Sequence, residues 1–133
     1  MTVAIDFDTP DLARAIERLD WHDIDTLPYG AILIARDGTT RFYSETEKRQ
    51  SGYPGEPVGQ NLFEVAHRFG NDEFRGRIRQ AEEAGPVDLE IAWPGDYSDR
   101  SRELRVRVQS ARPNGLWLFI ERDKAPGKHT TPA

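Results

Sequence analysis

From residue 87 to residue 122 the chain alternates between apolar and polar positions in three successive stretches. Val87, Leu89, Ile91 and Trp93 alternate with Asp88, Glu90 and Ala92. Leu104, Val106 and Val108 alternate with Glu103, Arg105, Arg107 and Gln109, and Leu116, Leu118 and Ile120 with Trp117 and Phe119. A period of two puts successive side chains on opposite faces of a sheet, so the pattern predicts three antiparallel strands. Their turns fall at 94–100 and 112–115. Upstream, residues 29–35 form a short apolar run that reads as a strand, and 40–43 return as a second strand. Arg36-Asp37-Gly38-Thr39 between them is a turn signal, which makes the pair a hairpin.

The helical period appears elsewhere. Leu12, Ile16 and Leu19 share one face and predict an amphipathic helix over 10–20, with Thr9 as N-cap and Pro10 at its first position. Ser44 and Glu47 fit a capping box, in which the serine caps the Glu47 amide and the glutamate reaches back to Ser44. The short helix they open ends near Gly52. Pro54, Gly55, Pro57 and Gly59 mark a loop, and 62–66 allow one helical turn. Asn71 or Asp72 then starts a longer helix with Phe74, Ile78 and Ala81 inward, stopped by Gly85-Pro86.

The order is helix, two strands, short helices, a longer helix and three strands. Five strands with helices clustered between the second and third make an α+β domain. With 133 residues the chain is one domain. Its predicted parts are an N-terminal cap at 1–24, the domain proper at 25–123 and a disordered tail at 124–133. A formal charge of −5 argues against nucleic acid as a partner. No apolar run approaches the ~20 residues of a membrane span. The acidic start, MTVAIDFDTP, lacks the regions of a signal peptide, so a cytoplasmic location is expected. The absence of cysteine removes disulfides and thiolate chemistry.

Several local runs add a family resemblance that covers 27–122. Leu27-Pro28-Tyr29-Gly30-Ala31-Ile32 resembles the first strand of photoactive yellow protein, the light-sensing relative of PAS domains. Phe42-Tyr43-Ser44-Glu45-Thr46-Glu47, followed by Ser51-Gly52, resembles that family's phenolate-binding segment, and Val58-Gly59-Gln60-Asn61-Leu62-Phe63 its next signature. The resemblance implies a PAS fold: a five-stranded antiparallel sheet with helices on one face and an N-terminal helix. It also implies a ligand site at Tyr43, Glu47 and Ser51. The family attaches a p-coumaroyl chromophore through a cysteine. Here the corresponding region reads Val65-Ala66-His67-Arg68, so covalent p-coumarate is not expected and the cofactor stays unknown.

Each candidate has two readings. Tyr43 and Glu47 hold a ligand's oxyanion if Glu47 is buried and neutral; otherwise Glu47 is a solvent-facing cap and Tyr43 a core aromatic. Ser51 supports the Tyr43 hydroxyl or ends a helix. Arg68 pairs with Glu47, anchors an acidic ligand, or lies on a surface loop. His67 is a pocket residue acting as a general base or as a metal or haem ligand, or an ordinary loop residue. No second histidine or cysteine stands at ligand spacing, so no metal is expected. Arg100, Arg102, Arg105 and Arg107 form a basic strand face, solvated or in contact with protein. Phe63, Phe69, Phe74, Trp93, Tyr97, Trp117 and Phe119 divide between the two sheet faces.

Three functions follow. The first is a stand-alone PAS sensory module that binds a small aromatic or acidic molecule non-covalently. The second is a PAS-fold enzyme using Glu47 for acid–base work, with Tyr43 or Arg68 stabilising charge; no reaction motif supports it. The third is a ligand-free module that docks on a protein partner or forms a homodimer.

Overall fold

The computed structural model describes residues 5–53, 55–65, 72–94 and 103–122. Its elements are α1 (Leu12–Ile16), α2 (Trp21–Asp25), β1 (Gly30–Ile34), β2 (Thr40–Tyr43), α3 (Glu45–Ser51), α4 (Leu62–Val65), α5 (Asp72–Ala84), β3 (Asp88–Pro94), β4 (Glu103–Ser110) and β5 (Leu116–Arg122). The five strands form one antiparallel sheet in the order β2-β1-β5-β4-β3. This is the α+β arrangement that the alternation predicts. Most of the turn at 94–100, the tail at 124–133, and Pro54, Ala66, His67, Arg68, Phe69, Asn71, Tyr97, Arg100, Arg102 and His129 lie outside the described residues, as does the side chain of Trp93.

Both faces of the sheet are covered, and the strand period decides which residue goes where. Ile32, Val106, Leu118 and Ile120 face the inner core, where Leu62 of α4 and Phe74 and Ile78 of α5 close over them. Ala31, Trp117 and Phe119 face the outer core, packed under Phe7, Leu12, Ile16 and Ile24 of the N-terminal segment. Tyr29, also buried there, donates a hydrogen bond from its hydroxyl to Ile5 O at 2.8 Å. Burial disfavours its phenolate and raises its pKa.

The predicted helix over 10–20 shortens to α1, and a second short helix, α2, follows just beyond that range. α1 begins two residues later, with Asp11 at its N-cap at φ 56° and no side-chain cap. The local signal at Thr9 loses to a tertiary contact: Arg107 Nη1 on β4 takes the carbonyls of Phe7 at 2.6 Å and Thr9 at 2.9 Å. The chain restarts at Asp20, whose carboxylate accepts from the amide of Asp23 at 2.9 Å and caps α2. Exposed His22 therefore sits in this second helix.

The arginine face of β4 is the seat of the N-terminal segment. Arg105 contacts Asp8 at 2.6 Å, Glu90 at 2.9 Å and Glu121 at 3.0 Å, and lies 4.9 Å from the Phe7 ring centroid. Gln109 is buried and bridges the sheet to α1, accepting from Ala13 N at 2.7 Å and donating to Asp88 at 3.0 Å.

Candidate functional site

The polar residues of the inner core gather where β2, α3 and the end of β5 meet. Ser44 follows β2 and caps α3: its hydroxyl accepts from Glu47 N and from Ala31 N, each at 3.1 Å. Its own amide donates to Ala31 O at 3.0 Å. That amide is the group a capping-box glutamate would have bonded, so only the serine half of the predicted box forms. The Glu47 side chain turns into the core instead.

Glu47 is completely buried and Arg122 nearly so. The two make a bidentate pair, with Arg122 Nη1 donating to Glu47 Oε1 at 2.7 Å and Nη2 to Oε2 at 2.8 Å. The planar guanidinium fork matches both carboxylate oxygens. Arg122 follows Leu116, Leu118 and Ile120 on the inward parity of β5, at a position where the pattern leads one to expect a fourth apolar residue. Gly30 makes room: a Cβ there would collide with Glu47 Oε1. Gln50 Oε1 stands 3.4 Å from Arg122 Nη1.

Tyr43 and Ser51 are both buried, and their hydroxyl oxygens lie 3.2 Å apart. Ser51 also accepts from Tyr53 N at 3.2 Å. The structure therefore brings Tyr43, Glu47 and Ser51 into one region of the inner core, with Tyr43 against the apolar cluster. The solvent-facing reading of Glu47 does not hold. Sequence reasoning offered Arg68 as the partner of Glu47; the described partner is Arg122, and Arg68 and His67 lie outside the described residues. The available signal was parity, because Arg122 continues an inward alternation.

Thr46 and Glu45 tie this corner to the end of α2 and the segment that follows it. Thr46 Oγ1 donates towards Leu27 O at 2.6 Å, with Asp25 O at 3.1 Å, and Glu45 N donates to Asp25 Oδ1 at 2.9 Å.

A 2-1-5-4-3 antiparallel sheet, helices α3–α5 on one face and a polar cluster at the start of the first inner helix define a PAS-type domain. The particular proteins it resembles are photoactive yellow proteins. That of Rhodothalassium salexigens is 27% identical over 121 residues, 89% of this chain and 97% of the relative. The photoactive yellow protein domain of the sensor histidine kinase Ppr from Rhodospirillum centenum superposes with a TM-score of 0.67 at 28% identity, covering 80% of this chain and 96% of that one. The PAS domain of the quorum-sensing receptor RpfR from Cronobacter turicensis, solved in complex with C12:0, shares the fold with a TM-score of 0.52 at 13% identity, over 71% of this chain and 92% of that one. No family model matches the chain. The chain is thus a PAS-fold domain similar to photoactive yellow protein, without a cysteine to carry a thioester.

Proposed function

We propose that this domain is a sensory module that holds a small aromatic or acidic organic ligand non-covalently between the sheet and the helices after β2. The observation that carries this reading is the buried polar cluster of Tyr43, Ser51, Glu47 and Arg122 beside an apolar core. A buried ion pair is a poor device for stability, since apolar replacements of similar volume are often neutral or better. A few convergent polar groups against apolar walls are what a small-ligand site needs. Tyr43 orients the ligand's oxygen and Ser51 orients Tyr43. Arg122 extends the ligand set beyond Tyr43, Glu47, Ser51, His67 and Arg68: an acidic ligand competes with Glu47 for its guanidinium.

The RpfR domain, in complex with C12:0, supports the view that this fold admits a bound guest. The test is native mass spectrometry with an absorption spectrum on undenatured protein, followed by titration of free p-coumarate as a probe. The expected result is a retained mass that leaves on denaturation. Tyr43→Phe should weaken binding about two- to tenfold, the range for one lost hydrogen bond. Unchanged affinity in both Tyr43→Phe and Glu47→Gln, for the retained molecule and for p-coumarate, would sink the assignment.

A further inference from the structure

The outer face carries a second concavity, remote from the Glu47 cluster. It is a groove of about 470 Å³ between the N-terminal cap and the edge of the sheet, within the size range of small-molecule sites. Leu19 and Ile24 of the cap, Leu33 of β1 and Trp117 of β5 line it, with Trp21 at the side. Trp21 packs on Phe42 with ring centroids 4.7 Å apart and interplanar 32°, and Phe42 lies 6.5 Å from Trp117. Trp21 is nonetheless 55% exposed, so one of its faces is unburied.

Two cations stand at this groove, and the backbone explains one of them. Between β1 and β2 the register runs Leu33↔Phe42 and then Ile34↔Thr40. Arg41 is the extra residue of a β-bulge, and a bulge re-aims the side chain it carries. Without it Arg41 would share the inward parity of Tyr43; with it Arg41 lines the outer groove. Arg112 arrives from the β4–β5 turn. Both are exposed, and neither guanidinium has an ion pair or hydrogen bond among the described residues. The acid of the groove, Glu17, is already committed. It pairs with Arg14 Nε at 3.0 Å and accepts from Trp117 Nε1 and Arg112 N, each at 2.9 Å.

We infer that this groove binds a planar aromatic anion, its ring on the open face of Trp21 above a floor that includes the edge of the buried Trp117, and its carboxylate between Arg41 and Arg112. The open face of Trp21 supplies stacking, and two unpaired guanidinia select negative charge. The experiment follows the tryptophan indole N–H signals by NMR while 2-naphthoate is added, with neutral 2-naphthylmethanol as the control. The expected result is movement of the Trp21 and Trp117 signals, assigned with Trp→Phe variants, and weaker binding of the alcohol. Arg41→Gln and Arg112→Gln should each weaken 2-naphthoate roughly two- to fivefold, the scale of an exposed ion pair. Tyr43→Phe should leave the movement of the Trp21 and Trp117 signals on 2-naphthoate addition unchanged, which separates this groove from the inner site. Equal binding of acid and alcohol to the unaltered protein, or no movement of the Trp21 and Trp117 signals, overturns the inference. So does a mass that doubles as concentration rises with the Trp21 signal already shifted, which would give the groove to a second copy of the chain.

Discussion

Arg122 and Arg105 sit on neighbouring strands, on opposite faces of one sheet, and show how burial outweighs the number of partners. Arg105 has three carboxylates around it, from Asp8, Glu90 and Glu121, yet its side chain is 41% exposed. Arg122 has one described carboxylate, Glu47, and is 2% exposed. Water and salt screen the first cluster, so each contact contributes little. Neither screens the second. Once Glu47 and Arg122 have left water, each depends on the other.

The sharpest way to break the comparison is to remove one member of the inner pair. Arg122→Met leaves a carboxylate buried without its fork, and losing one partner of a buried pair costs about 3–5 kcal/mol. Urea denaturation measures it. The double variant Glu47→Met with Arg122→Met should recover most of that loss, because neither member of the pair is then left without the other. If the single variant costs less than about 1 kcal/mol, the magnitude of a surface pair, Arg122 is not the buried partner it is here taken to be.

Gly30→Ala sharpens the same point from the backbone. In an ordinary strand the exchange removes an entropic penalty and is mildly favourable. Here the added methyl meets Glu47 Oε1. Overpacking of this kind costs about 1–3 kcal/mol. Combined with Glu47→Ala, the substitution should lose most of that cost, and a thermodynamic cycle over the four proteins reads the coupling directly. Additive effects would mean that the carboxylate does not fill the space above Gly30.

The two arginines also mark the limit of what the chain discloses before it is folded. The strands were legible because period two is local: Leu104, Val106 and Val108 announce a buried face by themselves. Tyr43, Glu47 and Ser51 were legible as a group through the resemblance of this nine-residue stretch to the phenolate-binding segment of photoactive yellow protein. Arg122 was not paired with Glu47, since 75 positions separate them and only the sheet order makes them neighbours. The N-terminal helix misled for a related reason. Thr9, Pro10 and Asp11 satisfy every local rule for a helix start, but Arg107, 98 positions away, holds the carbonyl of Thr9. Arg41 was illegible in another way, because a bulge is a property of the strand pair and not of either strand.

The outer cluster gives the smallest effect, and its sign distinguishes it from the inner one. Hydrogen bonding to Arg105 lowers the Asp8 pKa below its ordinary value near 4, only partly opposed by burial. A depressed carboxyl contributes stability that is fully present above its unfolded pKa and is lost as the pH falls through the folded one. Acid titration below about pH 4 should therefore release the segment that carries Phe7 and Asp8 from β4. Phe7 and Tyr29 lie 5.4 Å apart, edge to face, so the environment of Tyr29 reports that release. Asp8→Asn should remove the Asp8 share of the transition while costing well under about 1 kcal/mol at neutral pH. Added salt at neutral pH should weaken the docking of this segment in the wild type more than in Asp8→Asn, and should leave the Glu47–Arg122 pair nearly untouched. Equal salt sensitivity of the Arg105 and Arg122 clusters, read from the stabilities of Asp8→Asn and Arg122→Met at low and high salt, would mean that water reaches both and would erase the distinction between them.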